Sequence, residues 1–483
     1  MYRKKDGQIT IAEFLSPFGT LDKNNRWVKI ADMIPWERYE SEYAKRFCPD
    51  NGSPAINFRI AMGTLLLKQF NNYSDDDVIL NIQENPYMQY LIGLHEFTHK
   101  APFAQSSITN FRKYIPEEMI NRVNEDIFRA SKEKKDDDDQ GGSSSDNQVE
   151  ESKEPPPNKG TLMVDATCTP ADISYPTDVN LLNEAREKLE GMIDTLHPHT
   201  GNKVKPRTYR RKARRDYLHL SKQRKPRKKS IRKAIRQQLG YVQRNLKHID
   251  KLIVAVGIEH LTKRQQQWLE TIRILYKQQL EMYESKSHSV KDRIVSIGQP
   301  HVRPIVRGKV NAPVEFGAKI SISLIDGYAF IDKIGWDAYN EEALLIPAIE
   351  KFKEQNGYYP ESVLADKIYR NKDNRAFCKK HGIRLSGPRL GRPAKETKQG
   401  MLAQGREDAA RRNAVEGKIG EGKTCYGLDR VMARLQGSSE TVIAMSFLCM
   451  NISRRLRVLS HLFYKNFNFG LQWHQLKYNW VFE

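Results

Sequence analysis

A low-complexity stretch at residues 131–160 is the feature that most constrains how this chain can fold. It contains four aspartates at 136–139, a glycine and serine run at 141–145, and three prolines at 155–157. Such a composition cannot bury enough apolar surface to offset its ordering entropy, so we predict a disordered linker. A chain of 483 residues is also too long for a single core. The linker therefore separates an N-terminal unit, residues 1–130, from everything that follows.

The N-terminal unit has the pattern of short helices joined by tight turns. Apolar residues recur at helical spacing over 58–70, and Ser74 precedes an acidic first turn. That turn predicts a second helix, which ends at Asn85 and Pro86, and a further helix begins near Ser107. Such helices either read DNA as a helix-turn-helix or form a bundle used for packing or dimerisation. The sequence leaves both interpretations open.

Beyond the linker, short apolar runs with the pattern of strands appear. The run at 161–164 ends on Asp165, and the run at 362–365 ends on a second acid, Asp366. Between them, alternating apolar and polar residues over 314–334 predict a hairpin. Strand and helix patterns that follow one another in this way predict an α/β fold with a mixed sheet.

Three more elements are predicted in the second half of the chain. Residues 341–352 and 406–418 are expected to be helical, and the second of these helices carries Glu416. Residues 383–385 are expected to form a fifth strand.

A long, charged and largely helical region, residues 180–300, lies between the first strand and the hairpin. One of its helices has apolar and aromatic residues at i, i+3 and i+4 spacing, which marks a buried face. We expect Trp268 on this face to lie in the core; contact with DNA bases is the alternative. Residues 201–240 contain 17 lysines and arginines against one acid, and they account for 16 of the net charge of +21.

Cations at this density repel one another, which favours a polyanionic partner over an idle solvated surface. They would displace counterions from a phosphate backbone and bind nucleic acid in a salt-sensitive, sequence-blind manner. The candidate DNA-binding residues are Arg210, Arg211, Arg214, Arg215, Arg227, Lys228 and Lys229.

Three acids follow strand or helix patterns that a mixed sheet can bring together. Asp165 and Asp366 end strands, Glu416 lies on a helix, and open sheets bind ligands at strand ends. Three carboxylates at one point repel unless a cation joins them. Mg²⁺ takes oxygen ligands, and two such ions ~3.5–4 Å apart clamp the attacking and leaving oxygens of a phosphoryl displacement. Taken singly, each acid has another explanation: Asp165 as a strand-end turn former, Asp366 as a capping residue and Glu416 as a solvent-facing helical glutamate.

Several ordered motifs resemble those of bacterial insertion-sequence DDE transposases. Arg412-x3-Glu416-x6-Lys423 is similar to the family signature Tyr-x2-Arg-x3-Glu-x6-Lys, with Ala409 at the tyrosine position. The insertion-sequence-five family is the group that the chain resembles most. Segments 164–167 and 173–178 resemble the first aspartate motif of the family, and 365–369 resembles the second. The N-terminal helical domain of the family is matched at 73–76, 90–94 and 107–112, and the strand after the insertion at 307–309 and 313–317.

By this resemblance, Asp165, Asp366 and Glu416 form the metal-binding catalytic triad, and Arg412 and Lys423 contact phosphate near the end of the element. If the helix continues, spacings of four and seven residues place Arg412, Glu416 and Lys423 on one face. Glycines that follow Glu416 disfavour a continuous helix, which would bring Lys423 to the site from a loop.

The resemblance also implies an RNase H-like catalytic domain formed by residues 161–180 and 301–450. A bare core of that kind needs far fewer than the 201 residues that separate the two aspartates, so we interpret 181–300 as a helical basic insertion domain. The last segment, 451–483, is expected to be a C-terminal tail. The predicted architecture is an α/β, RNase H-like mixed sheet with a large helical insertion, preceded by an all-α N-terminal domain.

The function that the resemblance implies is cut-and-paste DNA transposition, in which cleavage at the element ends frees a 3′-OH that attacks target DNA. The expected cofactor is Mg²⁺, as two ions that Mn²⁺ can replace, and the expected partner is double-stranded DNA of the terminal inverted repeats and the target. Pairing two ends suggests a homodimer. Two alternatives stay open: an RNase H-like nuclease or resolvase that cuts without joining, and an inactive domesticated DNA-binding protein, for which Ala409 is the hint.

Neither a membrane nor a disulfide framework is expected. No apolar run approaches the ~18 residues of a membrane span, and no apolar segment of a signal peptide follows the first residues. Five cysteines lie far apart without a Cys-x-x-Cys pair, which favours a reducing bacterial cytoplasm, near the nucleoid. Cys168 is expected to be a small buried hydrophobe rather than a nucleophile.

Overall fold

The structure is a computed structural model that describes residues 19–48, 51, 54–139, 157–306, 314–387 and 395–479. Helices form its N-terminal part, as the sequence predicts. Ser74 caps the fourth of them: its hydroxyl accepts a hydrogen bond from the backbone N–H of Asp77 at 3.0 Å, and the Asp77 carboxylate accepts the N–H of Ser74 at 3.2 Å. These helices are α1 Arg26–Met33, α2 Trp36–Ala44, α3 Phe58–Asn71, α4 Asp75–Glu84, α5 Pro86–Leu91, α6 Ser107–Tyr114 and α7 Glu117–Asp139.

Helix α7 is longer than the composition predicts. It extends to Asp139, so the placement of the linker start at residue 131 is wrong; residues 140–156 lie outside the described residues. A tertiary contact stabilises the start of the extension, where Arg455 donates hydrogen bonds to the backbone carbonyls of Ala130 and Ser131 at 3.1 and 3.3 Å. Packing of this kind overrides local composition.

A mixed sheet follows, which confirms the α/β prediction. Its strands are β1 Thr161–Pro170, β2 Arg303–Val306, β3 Val314–Ile325, β4 Tyr328–Gly335, β5 Ser362–Leu364 and β6 Arg384–Leu385. The first strand, β1, lies inside the sheet between β3, which is antiparallel to it, and β5, which is parallel to it. The predicted hairpin is β3 with β4, and β6 extends the parallel side. The short strand β2, which pairs with the start of β3, was not predicted.

The prediction that β1 ends at Asp165 is wrong. Antiparallel pairing with β3 continues from Asp165, opposite Ile322, to Pro170, opposite Gly317. Strand β1 continues to Pro170 because β3 provides backbone hydrogen-bond partners up to that residue. The segment at 307–309, predicted as part of the strand after the insertion, lies outside the described residues.

Four helices between β1 and β2 form the predicted helical region. They are α8 Asp178–Leu196, α9 Arg210–Ser221, α10 Lys228–Val256 and α11 Lys263–Ser285. They enclose a hydrophobic cluster of their own, which includes Leu189, Val242 and Ile272. Trp268 packs against this cluster as predicted, and the Nζ of Lys188 lies 3.7 Å from its ring centroid. The region therefore packs around its own core.

The last helices cover the sheet. They are α12 Leu345–Asn356, α13 Lys372–Lys380, α14 Lys395–Cys425 and α15 Gln436–Asn479. A second large cluster is continuous from the N-terminal helices to α15 and one face of the sheet, and includes Leu66, Ile322 and Phe447. The N-terminal helices thus share a core with the sheet.

The prediction of a C-terminal tail from residue 451 is wrong, because Asn451 lies in the middle of α15 and is fully buried. Its side chain donates hydrogen bonds to the Oδ1 of Asn124 at 2.8 Å and to the carbonyl of Ala329 at 2.7 Å, and it accepts the N–H of Ala329 at 2.8 Å. This network ties α15 to α7 and β4. Across the described ranges, no helix has the length and apolar character needed to cross a membrane. Cys168 is buried as predicted.

Candidate active site

The register of the sheet places two of the predicted acids side by side. In the parallel pair of β1 and β5, Met163 lies opposite Leu364 at the last paired position. Asp165 and Asp366 each follow two residues later, and side chains two residues apart on a strand point to the same face. The two carboxylates therefore lie where the parallel pairing ends.

Electrostatics shows that these acids interact. Burial raises the pKa of the Asp165 carboxyl above its usual range, and the nearby charges of Glu341 and Asp366 raise it further. A hydrogen bond from the backbone N–H of Ala166 at 2.8 Å and the charge of Arg412 lower it. Negative charge is thus concentrated at this point, and its all-oxygen donor set fits a hard cation such as Mg²⁺.

Asp366 is the more exposed of the two aspartates. Its carboxylate accepts the backbone N–H of Lys367 at 2.7 Å, and its Oδ1 lies 3.7 Å from an Nη1 of Arg412 on α14. The side chain of Asp366 is 57% exposed, so this ion pair is weak. The carboxylate is accessible to a ligand from solvent.

Glu416 lies on α14, one turn after Arg412, with its side chain exposed. Within the described residues, which include all three predicted acids, no three His, Cys, Asp or Glu side chains are close enough to hold a metal ion. The structure thus brings Asp165 and Asp366 together and leaves Glu416 outside their group.

Helix α14 is continuous to Cys425, so the expectation that Lys423 lies on a loop is wrong. Burial of Val415 against the sheet and packing at Gly422, where a Cβ would lie 2.7 Å from Leu428, stabilise the helix in spite of its glycines. The spacing therefore places Arg412, Glu416 and Lys423 on one face. Lys423 is half-buried and lines a small cavity between the helix and the sheet.

Two residues near Asp165 were not predicted from the sequence. Tyr369 is fully buried, and its hydroxyl has no hydrogen-bond partner among the described residues. Burial, then the charges of Glu341 and Asp165, raise its pKa. Glu341 pairs with Lys319 at 2.6 Å. Tyr369 lies inside the second aspartate motif, which was the signal that could have identified it.

A third unpredicted residue is Asp332 on β4. One carboxylate oxygen accepts a 2.6 Å hydrogen bond from the Ser323 hydroxyl, and Oδ1 is buried without a partner in the described structure. Burial raises the pKa of Asp332 to about 6. The folded protein therefore holds a proton here at a pH where the unfolded chain has already lost it.

We expect Asp332→Asn to stabilise the protein in a pH-dependent manner. The carboxyl pKa rises from 3.8 to about 6 on folding, so its contribution to the free energy of unfolding falls as the pH rises through this window. The loss amounts to about 3 kcal/mol above pH 6. The variant should therefore unfold at a higher temperature than wild type at about pH 8, and the two should converge near about pH 4.

Thermal unfolding at both pH values measures this difference. Asp326→Asn, at the exposed turn between β3 and β4, is the charge-matched control and should not reproduce the gain of Asp332→Asn at about pH 8. An equal gain for Asp332→Asn at both pH values would contradict the assignment of the pKa.

The predicted DNA-binding residues lie on the hairpin of α9 and α10. Arg210 is engaged within the protein, because it pairs with Asp194 at 2.9 Å and with Glu190 at 3.4 Å on α8. The other six are exposed and form no salt bridge with any residue that the structure describes; they are Arg211, Arg214, Arg215, Arg227, Lys228 and Lys229.

Comparison with known proteins identifies the family. Residues 363–453 match the family model described as Transposase DDE domain, and residues 17–114 match one described as Transposase domain. An uncharacterized protein of Rhizobium meliloti, ORF8 in the nfe locus, is 31% identical over 162 residues, which are 34% of this chain and 70% of the relative. No solved structure matches the chain.

The chain belongs to the DDE transposases. The first of the two matched segments contains Asp366, Arg412, Glu416 and Lys423. The second covers α1 to α6.

Proposed function

We propose that this transposase cuts DNA at the ends of its element and joins the freed 3′ ends to target DNA, with Asp165, Asp366 and Glu416 as its catalytic carboxylates. The observation that carries the proposal is the adjacency of Asp165 and Asp366, which the sheet register sets, beside a helix that belongs to the DDE match. Both reactions are displacements at phosphorus, so a single site serves both.

Asp165 and Asp366 would hold Mg²⁺, with Mn²⁺ as a substitute, in a two-ion site completed by Glu416. When bound, these ions supply Lewis-acid activation of water and charge neutralisation at the scissile phosphate. In the hydrolysis, the oxygen of water forms a bond to phosphorus and the P–O3′ bond breaks, which leaves a 3′-OH on the element and a 5′-phosphate on the flanking strand. That hydroxyl attacks a phosphodiester of the target, forming one P–O bond and breaking another.

Glu416 must approach the two aspartates for the site to be complete. It lies one turn from Arg412, and Arg412 already reaches Asp366. We propose that this part of α14 would move inward in the complex with metal and DNA, so that Glu416 approaches the aspartates and Arg412 leaves Asp366 to contact phosphate. The negative charge of Glu416 would then stay apart from those of Asp165 and Asp366 until a cation is present.

An RNase H-like assignment of the sheet is supported by its strand order, β2-β3-β1-β5-β6, in which β4 also pairs with β3. The pairs that β3 forms are antiparallel, and the pairs that β5 forms are parallel. Membership of the insertion-sequence-five group is proposed on the sequence motifs alone. The partners proposed are terminal inverted repeats and target DNA, and pairing of two ends favours a homodimer in the bacterial cytoplasm.

Incubating the full chain with duplexes taken from the DNA that flanks its gene, together with a target plasmid, tests this function. We expect Mg²⁺-dependent nicks at the element ends and joined products in the plasmid. Nicks without joined products would instead favour a nuclease or resolvase, and binding without either product would favour an inactive DNA-binding protein.

A further inference from the structure

One exposed face of α10 carries a line of cations that extends beyond the predicted basic block. With 3.6 residues per turn, its members project within an arc of about 60°. All are exposed: Lys229, Lys233, Arg236, Lys247 and Lys251. We call these five residues, together with Gly240 between them, the α10 basic face.

Among the residues that the structure describes, no acid forms an ion pair with the α10 basic face. The sequence of α10 contains a single acid, Asp250, and this acid lies off the face and pairs with Arg273 on α11. The opposite side of α10 is fixed in the insertion core by Val242 and Ile249. The orientation of the cations toward solvent is therefore set by packing.

Gly240 lies near the middle of this face and is exposed. A Cβ built there would meet no atom within 4 Å, so packing within the protein does not require a glycine. Glycine is nevertheless among the least favourable residues in a helix interior. Its lack of a side chain leaves the helix backbone open to close approach by a partner.

The length of the α10 basic face matches one helical turn of B-DNA. Lys229 and Lys251 are 22 residues apart, which at 1.5 Å per residue is about 33 Å. One turn of B-DNA is about 34 Å. A straight line of cations on one rigid helix can therefore neutralise phosphates over about one turn.

We propose that the α10 basic face binds the phosphate backbone of double-stranded DNA, with Gly240 at the point of closest approach. The inference rests on the proposed function and extends it, because it assigns Lys233, Arg236, Lys247 and Lys251 to DNA binding. Helix α10 contacts the duplex lengthwise, away from the catalytic carboxylates on the sheet.

Binding of the full chain to a random duplex of about 30 base pairs, without divalent metal, tests this surface through its salt dependence. The variant Lys233→Gln, Arg236→Gln, Lys247→Gln should bind at least tenfold more weakly and flatten the slope of log K against log[NaCl] by about 2 to 3, because each lost phosphate contact removes ~0.9. A control of equal charge change is Lys263→Gln, Lys277→Gln, Lys286→Gln on α11 and its C-terminal cap. The control should keep the wild-type slope.

Three results would overturn the inference. An unchanged slope in the α10 variant would exclude the face while leaving the proposed transposition intact. An equal change in both triple variants would mean that net charge, not this face, binds DNA. A wild-type chain that does not bind duplex DNA would contradict both the inference and the proposed function.

The variant Gly240→Leu tests the close approach of DNA to the helix backbone without changing the charge of the face. Leucine favours the helix, so the thermal midpoint should rise, while the side chain should hold DNA away and weaken binding about tenfold. Wild-type affinity in this variant would contradict the place of Gly240 at the contact.

Discussion

Asp165→Asn should reduce strand cleavage by at least about 10³-fold, equivalent to about 4 kcal/mol of transition-state stabilisation. The substitution keeps the size of the side chain and the backbone pairing of β1, but it removes the charge that interacts with Asp366. A divalent cation would lose a ligand at the point where the charges of Asp366 and Glu341 also act. Binding of duplex DNA should remain, because the exposed cations lie on α9 and α10.

The matched control for this prediction is Asp326→Asn, which removes the same charge from an exposed turn of the sheet. Cleavage and DNA binding by the control should equal those of wild type. Retained Mg²⁺-dependent cleavage by Asp165→Asn would remove Asp165 from the catalytic group.

Glu416→Gln should reduce cleavage and strand transfer by at least about 10²-fold, or roughly 3 kcal/mol. The effect is expected although Glu416 is exposed and lies outside the pair formed by Asp165 and Asp366. We expect the glutamate to join the aspartates only when metal and DNA are bound. Loss of its charge should therefore act on turnover while leaving the folded protein equally stable.

Glu407→Gln supplies the comparison, because Glu407 is an exposed glutamate on the opposite side of the same helix. Thermal midpoints of both variants should match wild type, and only Glu416→Gln should lose activity. Equal activity of the two variants would mean that the catalytic group does not include Glu416.

The order of strands, helices and acids was predictable from the sequence because apolar periodicity and turn residues are local signals. The hairpin of β3 and β4 and the capping of α4 by Ser74 follow from such signals. The mixed sheet, the helical region after β1 and the packing of Trp268 against the hydrophobic cluster of that region were also predicted correctly.

Features that depend on tertiary packing were not predictable in this way. The end of β1 is set by its pairing with β3, and α14 continues past its glycines because Val415 and Gly422 pack against neighbouring elements. The pKa values of Tyr369, near Asp165, and of Asp332, which is hydrogen-bonded to Ser323, are raised by burial in the folded protein.

The candidate site was predictable only in part. The pairing of β1 with β5 accounts for the adjacency of Asp165 and Asp366, which the sequence pattern suggested. The exposed position of Glu416 depends on how α14 packs, and its role as a ligand stays a prediction.

The most direct test of the catalytic group is localised cleavage of the polypeptide by bound iron. Fe²⁺ that replaces Mg²⁺, in the presence of ascorbate and peroxide, generates radicals that cut the backbone close to its ligands. With end DNA bound, we predict cuts near Asp165, Asp366 and Glu416 that excess Mg²⁺ suppresses and that Asp165→Asn abolishes. Cuts confined to other parts of the chain, or cuts that persist unchanged in Asp165→Asn, would contradict the assignment of these three carboxylates to one metal site.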